Sequence, residues 1–226
     1  MITTIFQIID RFYKKKDGAK IVARNNAHLI NLIKKEVQLN GYECDLNHID
    51  ISHITDLQGL FYKSKFNGNI SEWNTSNIVN MGHMFAESLF NGDISNWDTS
   101  NVKNMHSMFA YSEFNNDISR WNLSNVLIMS EMFKSSKFNQ DISAWDVSQV
   151  ANMCDIFLYS EFKGDILNWK PCKANIGYMR DNGNMPYWAV LYDKEERKKI
   201  IDMYHLEKEL SKDLVRSQVK EKRMKI

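Results

Sequence analysis

Five tryptophans, Trp73, Trp97, Trp121, Trp145 and Trp169, stand 24 residues apart. The same step carries Phe66, Phe90, Phe114, Phe138 and Phe162, and also Ile70, Ile94, Ile118, Ile142 and Ile166. A further column runs Phe61, Phe85, Phe109, Phe133 and Phe157. Leu57 leads to Met81, Met105, Met129 and Met153, and Leu60 to Met84, Met108, Met132 and Ile156. Ser52, Ser76, Ser100, Ser124 and Ser148 form a polar column. So many columns in one register, with no insertion, exclude an ordinary globular arrangement. A unit this short cannot bury its apolar edge alone, so neighbours must stack, as in leucine-rich-repeat-type solenoids.

Inside one repeat, the apolar positions after Val102 are Met105, Met108, Phe109 and the small Ser112. This spacing predicts one face of a short helix, with Ser100 as its N-cap. Asn115-Asn116 reads as a turn, and Asp117-Ile118-Ser119-Arg120-Trp121 as a short strand ending at an Asx turn on Asn122. The expected fold is a right-handed α/β solenoid. It has about six 24-residue coils of short parallel strands and short helices, with helical caps at both ends. The expected divisions are an N-terminal helical cap over 1–45, the solenoid over 46–170, and a C-terminal cap with a charged helix over 171–226. In the first cap, Asn25 or Asn26 starts a helix through Ala27–Val37 that Asn40-Gly41 stops. Ile5, Phe6, Ile8, Ile9, Phe12 and Tyr13 predict an earlier amphipathic helix.

The pattern DIS-x-W-[DN]-x-S-N-V-x-x-M-x-x-M-F-x-x-S-x-F-N resembles the BspA-like leucine-rich-repeat proteins, in the branch first collected as mycoplasma surface lipoproteins. The stretch Cys44–Ser52 looks like that branch's first half-repeat, and the likeness covers roughly residues 26–170. It implies a leucine-rich-repeat-like fold and a role in binding other macromolecules, commonly surface adhesion.

Charge is unevenly placed. Residues 1–45 hold 8 Lys and Arg against 5 Asp and Glu, and 193–226 hold 11 against 8, whereas 46–192 hold 10 against 15. An acidic middle disfavours phosphate tracking, so nucleic acid is an unlikely partner of the repeats; only the basic C-terminal helix keeps that reading open. The N-terminal stretch places its charges after the apolar run, unlike a secretory signal, and no apolar run is long enough to span a bilayer. Three widely spaced cysteines, Cys44, Cys154 and Cys172, suggest neither a disulfide framework nor a metal pair. The expectation is a cytoplasmic protein.

The tryptophan ladder could be a stacking platform, but Ile49 occupies its place one repeat earlier, which favours core. Asn69, Asn74 and Asn122 interchange with Asp in their columns, so turn capping explains the acidic columns better than calcium does. His83 and His106 never share a column, and no phosphate loop or nucleophile elbow occurs. No catalytic residues, metal site or cofactor are expected.

Partner-binding candidates are the positions that the repeat leaves free. Glu72, Asn96, Arg120, Ala144 and Asn168 vary beside the fixed Ser95, Ser119 and their equivalents, and would tile one face of the sheet. A second candidate is the C-terminal segment, with Tyr187, Trp188, Arg216 and Arg223 as interface-type residues. The functional expectation is a non-catalytic protein-binding module, an intracellular inhibitor or adaptor of phage or mobile-element origin. The alternatives are a surface adhesin or glycan binder and, more weakly, a nucleic-acid binder.

Overall fold

A computed structural model describes residues 20–166 and 168–170. The early amphipathic segment and the C-terminal cap, with Tyr187, Trp188, Arg216 and Arg223, lie outside the described residues. The regular elements are β1 (Ile21–Val22), α1 (Asn26–Asn40) and β2 (Ile49–Asp50).

Helix α1 forms for local reasons. The Asn25 side chain accepts the His28 amide at 2.9 Å, satisfying one of the orphan N–H groups of the first turn. At the other end Gly41 adopts φ 84°, and its N–H donates to the Val37 carbonyl. Leu29, Leu32 and Ile33 give the buried stripe. Strand β1 pairs in parallel with β2, Ile21 opposite Ile49, so the chain before the repeats is joined by main-chain bonds to the first of them.

Beyond β2 the 24-residue units stack in register without regular helices or strands. Isolated parallel bridges link Asp56 to Asn80, Asn80 to Asn104, Asn104 to Ile128 and Ile128 to Asn152. After each bridge runs a wall of turns. In one repeat the N–H groups of Met81, His83, Phe85 and Glu87 donate to the carbonyls of Asn104, His106, Met108 and Ala110 in the next. The intervening Met84, Ala86 and Ser88 donate three residues back within their own repeat.

This wall stands where the sequence predicts a helix over Val102–Ser112. A helix would send every N–H to its own i−4 carbonyl and leave none to bind the neighbouring repeat. The chain instead inserts a left-handed residue every fourth position, Ser107 (φ 52°) and Tyr111 (φ 57°). These resets hold Met105, Met108, Phe109 and Ser112 inward without helical winding. Ser100 is therefore no N-cap; its own N–H donates to Asp98 at 2.9 Å. The strand predicted at Asp117–Trp121 is also a turn, closed by the Trp121 N–H on the Ile118 carbonyl at 3.1 Å. That turn brings Ile118 and Trp121, three apart, both to the interior. Asn115-Asn116, read as a turn, lies in the return stretch, where the Asn115 N–H donates to the Asn91 side chain at 2.8 Å.

The core is a bundle of ring columns. Phe61, Phe85, Phe109, Phe133 and Phe157 stack with centroids 5.6–5.8 Å apart and planes within 5°. Within each repeat a second ring lies against the first, as Phe109 does against Phe114 at 4.2 Å. The methionine columns fill the space beside them, with Met81, Met84, Met105, Met108, Met129, Met132 and Met153 all buried. Each such side chain contributes about 1.5–3 kcal/mol by leaving water.

Candidate functional site

Each repeat presents two outward regions, a tight corner and the wall. At the corner the side-chain oxygens of Asn69, Asp93, Asp117 and Asp141 accept the N–H groups of Ser71, Ser95, Ser119 and Ser143 at 2.8–3.1 Å. These bonds draw the carboxyls of Asp93, Asp117 and Asp141 below their ordinary value of 3.8. A second set follows, Asn74 to Ser76, Asp98 to Ser100, Asn122 to Ser124 and Asp146 to Ser148. An Asx turn needs only an oxygen acceptor, which is why Asn and Asp interchange. Among the described residues no three His, Cys, Asp or Glu side chains converge to hold a metal ion.

Inside the corner sits the tryptophan, at most 4% exposed in all five repeats. Its indole N–H donates 27 residues back: Trp97 to the Ile70 carbonyl, Trp121 to Ile94, Trp145 to Ile118 and Trp169 to Ile142, each at 3.1 Å. The ladder is thus core with a polar tether, and no ring face is open for a ligand. Glu72, Asn96, Arg120 and Ala144, each between a half-buried serine and the tryptophan, are exposed, and so is Asn168 before Trp169. The 24-residue register sets them in one column, on turns and not on strands.

The wall is chemically different. One of its columns reads Gly59, His83, Ser107, Glu131, Asp155, and another Lys63, Glu87, Tyr111, Ser135, Tyr159. Except for Gly59, all are non-glycine residues at φ 52–59°. An L-residue in this region costs about 1–2 kcal/mol that glycine would not. The chain nevertheless keeps varied side chains there, and Tyr62, Tyr111 and Tyr159 are 47%, 54% and 71% exposed along this edge. Ion pairs cross the face, Lys63 to Glu87 at 3.4 Å and Lys137 to Glu161 at 2.8 Å, with Lys134 to Glu131 at 2.7 Å within one repeat.

His83 and His106, in different columns of the sequence, meet edge to face at 4.7 Å on this wall. His106 Nδ1 lies 2.8 Å from Ser130 Oγ and 3.0 Å from the Ser130 carbonyl oxygen, so Ser130 holds the ring in place. Burial, then the proximity of His106, pushes His83 below its ordinary 6.5, with Glu131 opposing. Cys154 borders the cluster as a free thiol, and burial raises it from 9.0, which works against a reactive thiolate.

The sequence reading missed the wall as a surface. The signal was present, since its columns vary from repeat to repeat as the free column at the corner does. The predicted helix, defined by its inward residues Met105, Met108, Phe109 and Ser112, hid it.

The repeats match a family described as "Mycoplasma protein of unknown function, DUF285", over residues 31–136 and 110–181. No curated protein and no solved structure matches the chain. The two overlapping matches together cover about two thirds of the 226 residues and take in the corner and the wall alike, so the chain belongs to the DUF285 family.

Proposed function

We propose that this DUF285 member is a BspA-like, leucine-rich-repeat-type solenoid working without catalysis as a protein-binding module, an intracellular inhibitor or adaptor. The observation that carries the reading is the wall, where nine non-glycine residues keep left-handed backbone among the described residues. Strain retained at that many positions, eight of them with at least partly exposed side chains that differ from repeat to repeat, fits selection on the surface they present. Exposed tyrosines interleaved with paired charges have the composition of a protein interface. The row Glu72, Asn96, Arg120 and Asn168 is the second contact surface in this reading. Cys44 and Cys154 are free thiols, which suits a reducing compartment.

The test is affinity capture with the full chain, run in parallel with Tyr111→Ala/Tyr159→Ala and with Asn96→Ala/Arg120→Ala. A stoichiometric protein lost with the tyrosine pair supports the wall. One lost only with the second pair moves the interface to the corner. Recovery of no stoichiometric protein by the unaltered chain would sink the binding-module reading.

A further inference from the structure

The first full turn wall carries a glycine where those that follow carry side chains. Gly59 (φ 64°) occupies the column filled later by His83, Ser107, Glu131 and Asp155. A Cβ placed there would meet only the Tyr62 Cβ, at 3.9 Å, so the side-chain space is open. An open cleft of about 580 Å³ results, lined by Asn26, Asp56, Gln58, Gly59, Tyr62 and His83. Its size lies within the range of small-molecule sites.

The walls are held by bonds among themselves. Asn26, from the start of α1, donates its amide to the Asp56 carbonyl at 2.7 Å. Asp56 Oδ1 accepts the Gln58 N–H at 2.7 Å, and Gln58 Oε1 accepts from Asn80 Nδ2 at 3.1 Å, which leaves the Gln58 amide hydrogens as donors. The Tyr62 hydroxyl donates to Glu87 at 2.9 Å, and Lys63 Nζ, paired to the same carboxylate, lies over one face of the ring 5.0 Å from its centroid. The Tyr62 ring is thus fixed in plane while remaining about half exposed. His83, with its pKa held low, adds a neutral imidazole.

We propose that this cleft binds a neutral saccharide unit, with Tyr62 as its platform and Gln58, Asp56 and His83 as its hydroxyl partners. A sugar ring offers an apolar C–H face to an aromatic side chain and a rim of hydroxyls that both donate and accept. Planar amide, carboxylate and imidazole groups supply that mixture. Asp56 repels phosphates and other anions, the Glu87 charge being offset by Lys63, and one aromatic among polar side chains is too little apolar surface for a lipid chain. The cleft shares Tyr62 and His83 with the wall but does not depend on the protein-binding reading.

The experiment uses the full chain with lactose, maltose and diacetylchitobiose, each at about 10 mM, followed by saturation-transfer NMR and titration calorimetry. At least one of the three is expected to bind. Gly59→Asn, which tolerates the left-handed backbone while filling the cleft, should weaken binding at least tenfold, and so should Tyr62→Ala. Gln58→Ala provides a further cleft variant should one of these fail to fold. Sialyllactose should bind severalfold more weakly than lactose. The proposal is overturned if none of the three neutral sugars binds, if folded cleft variants bind unchanged, or if the sialylated sugar binds tighter. Retention of protein capture by Gly59→Asn keeps the two readings distinguishable.

Discussion

The corner and the wall of each repeat are built from different kinds of bond, and their sequences differ for that reason. At the corner, side chains bond to the main chain: Asx oxygens take serine amides, and the indole of Trp121 reaches the Ile94 carbonyl. Each bond requires an Asx oxygen or an indole at its place, so those columns scarcely vary. Along the wall, N–H groups bond to carbonyls of the next repeat, as Phe109 does to Met132 at 2.9 Å. Main-chain bonds make no demand on the outward side chain. The wall can change its chemistry without loosening the stack, and a surface with that freedom is suited to recognition.

The largest expected effect falls at the corner. Trp121→Ala empties the core and should cost about 3–5 kcal/mol in urea unfolding. Trp121→Phe keeps much of the volume and removes the indole donor from the Ile94 carbonyl, which still accepts the Trp97 N–H at 3.2 Å, for a cost of about 1 kcal/mol. The contrast with the wall breaks if Tyr111→Ala, expected to stay within about 0.5 kcal/mol, proves equally damaging.

Next in size is the packing between repeats. A Cβ at Gly68 would collide with the Cys44 carbonyl oxygen, which is backbone and cannot swing aside. Gly68→Ala should therefore cost about 1–3 kcal/mol. In the same column Gly92 has as its nearest obstacle the Phe90 ring, and Asn116 and Gln140 already occupy the equivalent places. Gly92→Asn should cost less than Gly68→Ala in the same denaturation series, and the reverse order would show that the two repeats are not equivalent.

A smaller effect sharpens the account of the wall itself. Glu87→Gly relieves a left-handed L-residue (φ 54°) but adds freedom to the unfolded chain, so thermal unfolding should move by under about 1 kcal/mol. A large loss would mean that side chains, not main-chain bonds, hold the wall.

The least effect is that of pH. Because the folded chain holds His83 below 6.5, the unfolded chain binds that proton more readily and stability rises with pH. Its contribution is complete above 6.5 and fades as pH falls below it; His83→Gln should flatten that part of a stability profile. The corner carboxyls, Asp93, Asp98, Asp117, Asp141 and Asp146, are all lowered, mainly by hydrogen bonds from Ser95, Ser100, Ser119, Ser143 and Ser148. Their contribution is present above 3.8 and is lost as pH drops through their depressed values, giving a separate acid transition.

What the sequence made legible divides along the same line. Trp97 as core, the Asn–Asp interchange as turn capping, and the Asn25 and Gly41 ends of α1 follow from the chemistry of single residues. The outward placement of Glu72, Asn96, Arg120 and Asn168 followed from their variation. The wall was not legible as a wall. Met105, Met108, Phe109 and Ser112 carry a helical spacing, and the left-handed resets fall on Ser107 and Tyr111, where no glycine marks them. The cleft was hidden too, since Gly59 gains meaning only beside the side chains that fill its column elsewhere.

The direction of the bonds between repeats has a consequence for the gene. Wall amides reach forward to the next unit, while the indole reaches back to the previous one. Every interior unit therefore meets its neighbours with the same outgoing and incoming bonds. Copying or deleting one interior unit of 24 residues rejoins like to like and leaves no donor without an acceptor. The number of units is free to drift over generations, so related proteins should differ in length by whole multiples of that unit.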